Sequence, residues 1–433
     1  MMKMQKKILL ALFVGTIIKA IIIFFFYQNV IVFEGNKPRL ASGYGWGQLV
    51  ESIQEGKYEM LAQTGLSDIY DLRSKSYRPP VYPLLLLLIS YLSNYSGIIL
   101  ILFQSIITSV VGYLGYMIVK TSTNAEMPAT LCLGTLFFMP MNFLKSGTID
   151  EAPILLVFIL TWALTFIKYL QNQKGSHLLF LSGISLGVAT LTRQTALVIA
   201  TLVIFFMLAS KSIKEAKLKK IVLFAFAYLL VLSPWILRNF LVYGEFRFSS
   251  GSGRILLFTQ SKEFIQRYPA DSVDDIEREF LRSFQKAHPY LSNLDELSLD
   301  KEFNRFALNE MIRYPGKYAH SLILKLKVIF AYKYYPITNN KAKNVTYALS
   351  YTLPLMLFIF GLILPERTFI ANRIILIALA GIIIPGIIFF VESRHLYVPA
   401  VLMIIYIFST YYRHFYSIQR IKINEDKRNN SCL

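Results

Sequence analysis

Ten apolar stretches, divided by short polar connections, constrain this chain more than any other feature of its sequence. They are Ile8–Phe26, Gly97–Val119, Ala129–Phe143, Ala152–Leu170, Leu178–Leu191, Thr195–Ser210, Ile221–Leu237, Tyr347–Leu364, Ile374–Val391 and Val398–Tyr411. Several approach or exceed the roughly 20 residues that an α-helix needs to cross a bilayer. Lipid offers the backbone no hydrogen-bond partners, so such runs must be helical. With 55% of its 433 residues hydrophobic and 16% charged, a soluble fold has no way to hide them all. The expectation is an all-α polytopic membrane protein with about ten transmembrane helices and additional helices at the interface.

Lys3, Lys6 and Lys7 precede the first run, as in a secretory signal. The run is long and no small-residue cleavage site follows it, which predicts an uncleaved anchor. The two cysteines, Cys132 in a span and Cys432 in the tail, provide no disulfide for the soluble loops.

The net charge of +19 invites a nucleic-acid reading, but its distribution argues against one. Lys211, Lys214, Lys217, Lys219 and Lys220 share one connection between spans, and Arg413, Arg420, Lys422, Lys427 and Arg428 follow the last span. Short basic segments beside helix ends mark cytoplasmic loops, so the excess sets orientation and no nucleic-acid partner is expected. With both termini in the cytoplasm, alternate threading puts the lysine loop inside and the long segments Tyr27–Pro80 and 238–343 outside. The predicted organisation is a transmembrane module over 1–237 that includes the outer loop 27–80, the large outer loop 238–343, further spans over 344–412, and a basic tail over 413–433. Pro80–Leu92 is too short to span and does not fit the threading, so it is expected at the outer interface. His320–Phe330, with Lys325 and Lys327 among leucines, is expected there too, its cations snorkelling to head groups.

Acidic residues concentrate on the same outer side. Of 26 Asp and Glu, six lie in Tyr27–Pro80 and twelve between Arg238 and His320. Asp150 and Glu151 occupy the short outer connection between two spans. A reaction that uses carboxylates therefore happens outside, where a lipid-carried substrate is the natural donor. The acids of the large loop read mostly as a solvated face.

No phosphate loop or metal-binding spacing is present. What remains is a set of charged residues at outer helix ends. Arg78 opens Arg78-Pro79-Pro80-Val81-Tyr82-Pro83, Arg193 lies in the tight Leu191–Thr195 turn, and Arg238 and Asn239 follow Pro234-Trp235. Arg254 and Arg394 lie nearby in the threading. Planar guanidinium groups at one membrane face suit a phosphate, whose oxygens they bind bidentately. Arg193 stands out because the outer side is the Lys/Arg-poor one. Asp150 and Glu151 suit a general base acting on a hydroxyl, or a helix N-terminus, where acids are also favoured. His395 reads as structural rather than as a ligand.

Taken in order, these motifs resemble those of the GT-C membrane glycosyltransferases, in the branch of protein O-mannosyltransferases and aminoarabinose transferases that use polyprenyl-phosphate sugars. The residues that carry the resemblance are Arg78–Pro83, Thr148–Glu151, Gly187-Val188-Ala189-Thr190-Leu191-Thr192-Arg193, Pro234–Asn239 with Gly244, and Glu392–His395 with Pro399. The resemblance implies a helical module with a cavity for the lipid phosphate, which Arg193 with Arg78 and Arg238 would bind; Tyr82, Asn239, Arg254 and Arg394 are further substrate-binding candidates. It also implies a catalytic carboxylate in the first outer loop. There the sequence departs: Ser42 stands near the position where the family carries Asp, with Glu34 before it and Glu51 after it. Asp150, Glu151 and Glu34 are the candidate catalytic carboxylates. No cofactor is required by any motif; Asp150 or Glu34 would activate the acceptor or hold a divalent cation.

The implied activity moves a sugar from a polyprenyl-phosphate donor to a glycan, lipid or protein acceptor at the outer face of a cytoplasmic membrane. The alternatives are a lipid-linked glycan flippase, which the nearly uncharged span interiors disfavour, and a catalytically lapsed relative.

Overall fold

All the apolar runs are helical in the computed structural model, which describes residues 2–430 apart from 27–30, 35–36, 41–45, 62–72, 77, 95, 173–174, 211–212, 214–216 and 365–368. The chain opens with α1 (Met2–Phe26). Two short antiparallel ribbons flank α2 (Trp46–Gln54): β1 (Ile31–Glu34) with β2 (Lys37–Leu40), and β3 (Met60–Leu61) with β4 (Arg73–Ser74). Next come α3 (Val81–Ser93), α4 (Gly97–Thr123), α5 (Glu126–Phe138), α6 (Pro140–Ser146), α7 (Ala152–Asn172), α8 (Ser176–Thr192), α9 (Ala196–Ala209) and α10 (Lys217–Tyr243). The large polar segment is itself helical, with α11 (Ser252–Phe258), α12 (Lys262–Arg267), α13 (Val273–Ala287), α14 (Glu296–Arg313) and α15 (Pro315–Ile329). The last block is α16 (Lys341–Tyr347), α17 (Leu353–Ile363), α18 (Ile370–Ile388) and α19 (Tyr397–Asn430).

Among the described residues seven stretches are long and apolar enough to cross a membrane: α1, α4, α7, α10, α16 joined to α17, α18 and α19. The bent pair α5–α6 makes an eighth if it is one span. α8 and α9, at 17 and 14 residues, fall short by length. All ten apolar runs are helices, but three of them are not straight, full-length spans. The chain is a multi-pass membrane protein.

α7 sits at the centre, apolar all round and buried along most of its length. Trp162 and Phe166 are fully buried on it. α8 lies against both α7 and α10, and the α8–α10 approach depends on glycine. A Cβ on Gly183 would fall 2.6 Å from the Phe224 carbonyl oxygen, and one on Gly187 2.8 Å from Val231 Cβ. Small residues allow this closeness where no hydrophobic drive separates helix from lipid. Large apolar side chains on α1, such as Leu10, Phe13 and Phe25, are exposed, as expected for a lipid-facing helix.

Four sequence expectations need correction or refinement. The run Ala129–Phe143 is broken at Met139–Pro140, because proline cannot donate to the preceding turn; α5 and α6 meet at 55°. Lys325 does not snorkel. It is fully buried and donates from Nζ to the Ile388 carbonyl oxygen at 2.9 Å, at the end of α18. Lys19 places a buried amine inside α1, donating to Thr108 Oγ1 at 2.8 Å, so the span interiors are less free of ionisable groups than they read. Glu277 and Asp300, in the large polar segment, are buried rather than solvated.

Candidate active site

The α5–α6 break aims the last turn of α6 at the start of α7. Asn142 satisfies the carbonyl that the break leaves open, donating to Leu136 O at 2.8 Å, and accepts from the Tyr397 hydroxyl at 2.6 Å. Three residues on, Lys145 is buried and its ammonium pairs directly with the Asp150 carboxylate. The other Asp150 oxygen accepts the Ala152 N–H at 2.8 Å, where α7 begins. Burial alone would push the Asp150 carboxyl up. The Lys145 charge and hydrogen bond, the Ala152 amide and, further off, Arg193 outweigh burial and hold it below its ordinary value. The carboxylate thus stays ionised at neutral pH.

Arg193 terminates α8, its N–H still bonded to Ala189 O at 2.9 Å. Its Nε lies 3.8 Å from Glu151 Oε1, a spacing that a ligand oxygen or water can share. Arg78 enters from the chain ahead of α3. Tyr58 Oη donates to the Arg78 carbonyl at 2.9 Å, and the guanidinium lies 4.4 Å from the centre of the Trp46 ring. Trp46, which begins α2, is packed edge-on against Tyr82 at 4.8 Å.

The turn between α18 and α19 supplies Arg394 and His395. Arg394 bonds Glu392 at 2.5 Å and faces Asp274 at 3.8 Å. His395 Nδ1 accepts the Glu392 N–H at 3.2 Å. Burial raises the Glu392 carboxyl against the opposing Arg394 charge. Glu277 on α13 is buried 2.9 Å from Arg254 Nε, and burial raises its carboxyl too, against Arg254.

These groups surround one cavity of about 210 Å³. Its polar lining includes Arg78, Asp150, Glu151, Arg193, Arg394 and His395, with Asp274 and Glu277 from α13. The C-terminal half of α18 and the residues after it give an apolar wall, with Ile382, Ile383, Phe389 and Phe390. Sequence-predicted residues Arg78, Asp150, Glu151, Arg193 and Arg394 are therefore brought together. Tyr82 is fully buried behind the acid pair rather than in the lining. Its hydroxyl accepts from Gln104 Nε2 at 2.9 Å.

Arg238, Asn239 and Arg254 are not among the lining residues. Arg238 donates to Lys75 O at 2.7 Å and lies over the Tyr58 and Trp235 rings at 5.2 and 5.1 Å. Asn239 is buried and donates to the carbonyls of Arg247 and Phe248 at 3.0 and 3.1 Å. Glu34 ends β1 opposite Lys37; its side chain, like Ser42, lies outside the described residues. The sequence reading leaves out Lys145 and takes Glu277 as part of a solvated face; His395, read as structural, lines the cavity while its Nδ1 holds the Glu392 N–H. Lys145 carried the same signal as Arg193, a cation in a short connection assigned to the Lys/Arg-poor side.

Among the described residues no group of three or more His, Cys, Asp or Glu converges as metal ligands. The Glu34 side chain, the other expected cation ligand, lies outside the described residues, and no step is assigned to a metal.

Residues 77–237 match the family model for dolichyl-phosphate-mannose-protein mannosyltransferases, less than half the chain but the part that contains Arg78, Asp150, Glu151 and Arg193. Over nearly its whole length the chain superposes on the oligosaccharyltransferase AglB of Archaeoglobus fulgidus, solved with an inhibitory peptide and a dolichol-phosphate. The TM-score is 0.55 at 14% identity, covering 96% of this chain and 52% of that one. The chain has the GT-C glycosyltransferase fold. An Archaeoglobus fulgidus oligosaccharyltransferase in the apo form matches this chain with a TM-score of 0.52 at 15% identity, over 96% of this chain and 52% of that one. ArnT from Cupriavidus metallidurans, bound to undecaprenyl phosphate, is 12% identical over 92% of this chain and 76% of its own, with a TM-score of 0.41. The chain spans about half the length of the archaeal oligosaccharyltransferases it matches. No curated protein sequence matches it.

Proposed function

We propose that the protein moves a sugar from a polyprenyl-phosphate carrier to an acceptor hydroxyl at the extracytoplasmic face of the membrane. The observation that carries this reading is the single cavity in which Arg78, Arg193 and the acid pair share the lining with the apolar wall of α18. An amphiphile with a phosphate between a sugar and a long apolar chain needs both surfaces at once. The dolichol-phosphate in the archaeal structure of the same fold supports a carrier of this class. The unequal distribution of lysine and arginine supports the extracytoplasmic side, since the five-lysine stretch leading into and opening α10 and the basic tail favour the cytoplasm.

Arg78 and Arg193 hold the carrier phosphate. Their charge stabilises it as the anomeric carbon–oxygen bond breaks and the phosphate oxygen keeps the electron pair. The acceptor oxygen forms the new bond to the anomeric carbon, and its proton passes to the acid pair. Asp150, kept ionised by Lys145, is always in the accepting state at neutral pH. A weak base suffices, because the hydroxyl becomes acidic only as its bond to carbon forms. The test is transfer from a radiolabelled lipid-linked sugar in membranes carrying Arg193→Ala or Asp150→Asn. Each is expected to lose about 10²-fold or more, the scale of a removed electrostatic or proton-transfer group. Full activity in both variants would sink the assignment.

A further inference from the structure

The cavity has an acidic stretch of lining as well as a cationic one, and the two cannot serve the same chemical group. Asp274 and Glu277 are three residues apart on α13, hence neighbours on one face, and both line the cavity. Arg394 lies 3.8 Å from Asp274 and Arg254 2.9 Å from Glu277. An ionised carboxylate offers about four acceptor positions, so one arginine on each leaves acceptors over. Glu277 is only 6% exposed although it lines the cavity, and a carboxylate placed so deeply is costly unless it is used. The start of α13 is fixed in place: Val273 N–H donates to Glu392 at 3.4 Å, and Arg394 reaches both Glu392 and Asp274. A phosphate is repelled by this stretch, whereas sugar hydroxyls donate to carboxylates in charge-assisted bonds.

We infer that Asp274 and Glu277 read the hydroxyls of the transferred sugar, which makes α13 the sugar-specificity element of the site. The inference rests on the carrier reading above, with the phosphate held by Arg78 and Arg193. The phosphate and the sugar are then recognised by different parts of the fold, the first by the N-terminal helices and the second by the large polar segment.

The test is equilibrium binding to the full-length protein in nanodiscs. The probes are bare undecaprenyl phosphate and undecaprenyl phosphate bearing mannose, glucose or 4-aminoarabinose. The wild type is expected to bind at least one glycosylated probe about tenfold more tightly than the bare carrier, the gain from one or two hydrogen bonds to charged groups. Glu277→Gln and Asp274→Asn are expected to abolish most of that preference while leaving bare-carrier affinity within about twofold. Asp274 is half-exposed, so its variant reports even if the buried Glu277→Gln protein folds poorly. The inference is overturned if the wild type prefers no glycosylated probe, if the preference survives both substitutions, or if the variants weaken bare and glycosylated carriers equally. Failure of the wild type to bind the bare carrier is a different result, which removes the carrier reading and this inference with it.

Discussion

The ammonium of Lys145, in the last turn of α6, pairs with the carboxylate of Asp150, in the connection just ahead of α7, in a place where neither meets much water. With Lys145 gone, burial, the largest influence on Asp150, acts against a weaker opposition and its carboxyl rises. Lys145→Met is therefore expected to move the acidic limb of the pH–rate profile upward. The sign follows from the wild type, whose Asp150 is held down and contributes stability that is lost only as pH falls through that depressed value. Breaking a buried pair costs about 3–5 kcal/mol, so the single variant should also melt earlier in detergent. The double variant Lys145→Met with Asp150→Asn should regain much of that stability but none of the transfer activity.

Arg193→Lys keeps the charge and loses the planar fork. If the residue binds phosphate through two parallel hydrogen bonds, lysine restores only part of the carrier affinity, leaving it weakened about tenfold. Isothermal titration with undecaprenyl phosphate checks this. Full rescue by lysine would reduce Arg193 to a point charge balancing Glu151.

Arg238 belongs to the same sequence motif set yet holds Lys75 O rather than the cavity. Arg238→Ala is expected to lower thermal stability by about 1–3 kcal/mol, the cost of orphaning charge-assisted hydrogen bonds. Bare-carrier affinity should stay within about threefold in the same variant. A loss as large as that of Arg193→Ala would return Arg238 to the phosphate site.

What was legible in the sequence follows from what is local. Lipid forces each apolar run into a helix whatever its neighbours do, so the helical fold could be read from Ile8 to Tyr411. Arg78, Asp150, Glu151 and Arg193 were legible because charge at a membrane face is costly wherever it occurs. The pairing of Lys145 with Asp150 was not, because it depends on the angle at Pro140, and composition treats Ala129–Phe143 as one span. Glu277 was hidden for another reason. On α13 it belongs to an acidic face like any solvated one, and only the docking of that helix on the Glu392 turn turns the face inward. For Arg238 the motif Pro234–Asn239 gives its place along the chain but not the direction of its side chain, which runs to Lys75 O.

The close approach of α8 and α10 sets the Arg193 turn. Gly187→Leu would thrust a side chain at Val231 and the Tyr228 carbonyl oxygen, both within about 3 Å of the new Cβ. Overpacking of this kind costs about 1–3 kcal/mol. The variant should melt earlier and lose carrier affinity, whereas Gly134→Leu, with open space around its Cβ position, should do neither.

Lys325 yields a prediction with the same pH sign as Asp150 but in an alkaline window. Burial lowers its pKa to about 7 from 10.5, so between those values the unfolded chain binds a proton that the folded protein does not. Stability then rises with pH from about 7 towards 10.5 and is flat below about 7, where both states are protonated. Lys325→Met removes the titrating group, and it also removes the donor to Ile388 O at the end of α18. Melting temperatures of the wild type are expected to climb between pH 7 and 9, and those of Lys325→Met to climb less. Carrier affinity is the second readout, since the helix end that Lys325 holds leads directly into Phe389 and Phe390 of the apolar wall. If the rise with pH is the same in both proteins, Lys325 keeps its proton in the buried site across this range and the rise comes from other groups.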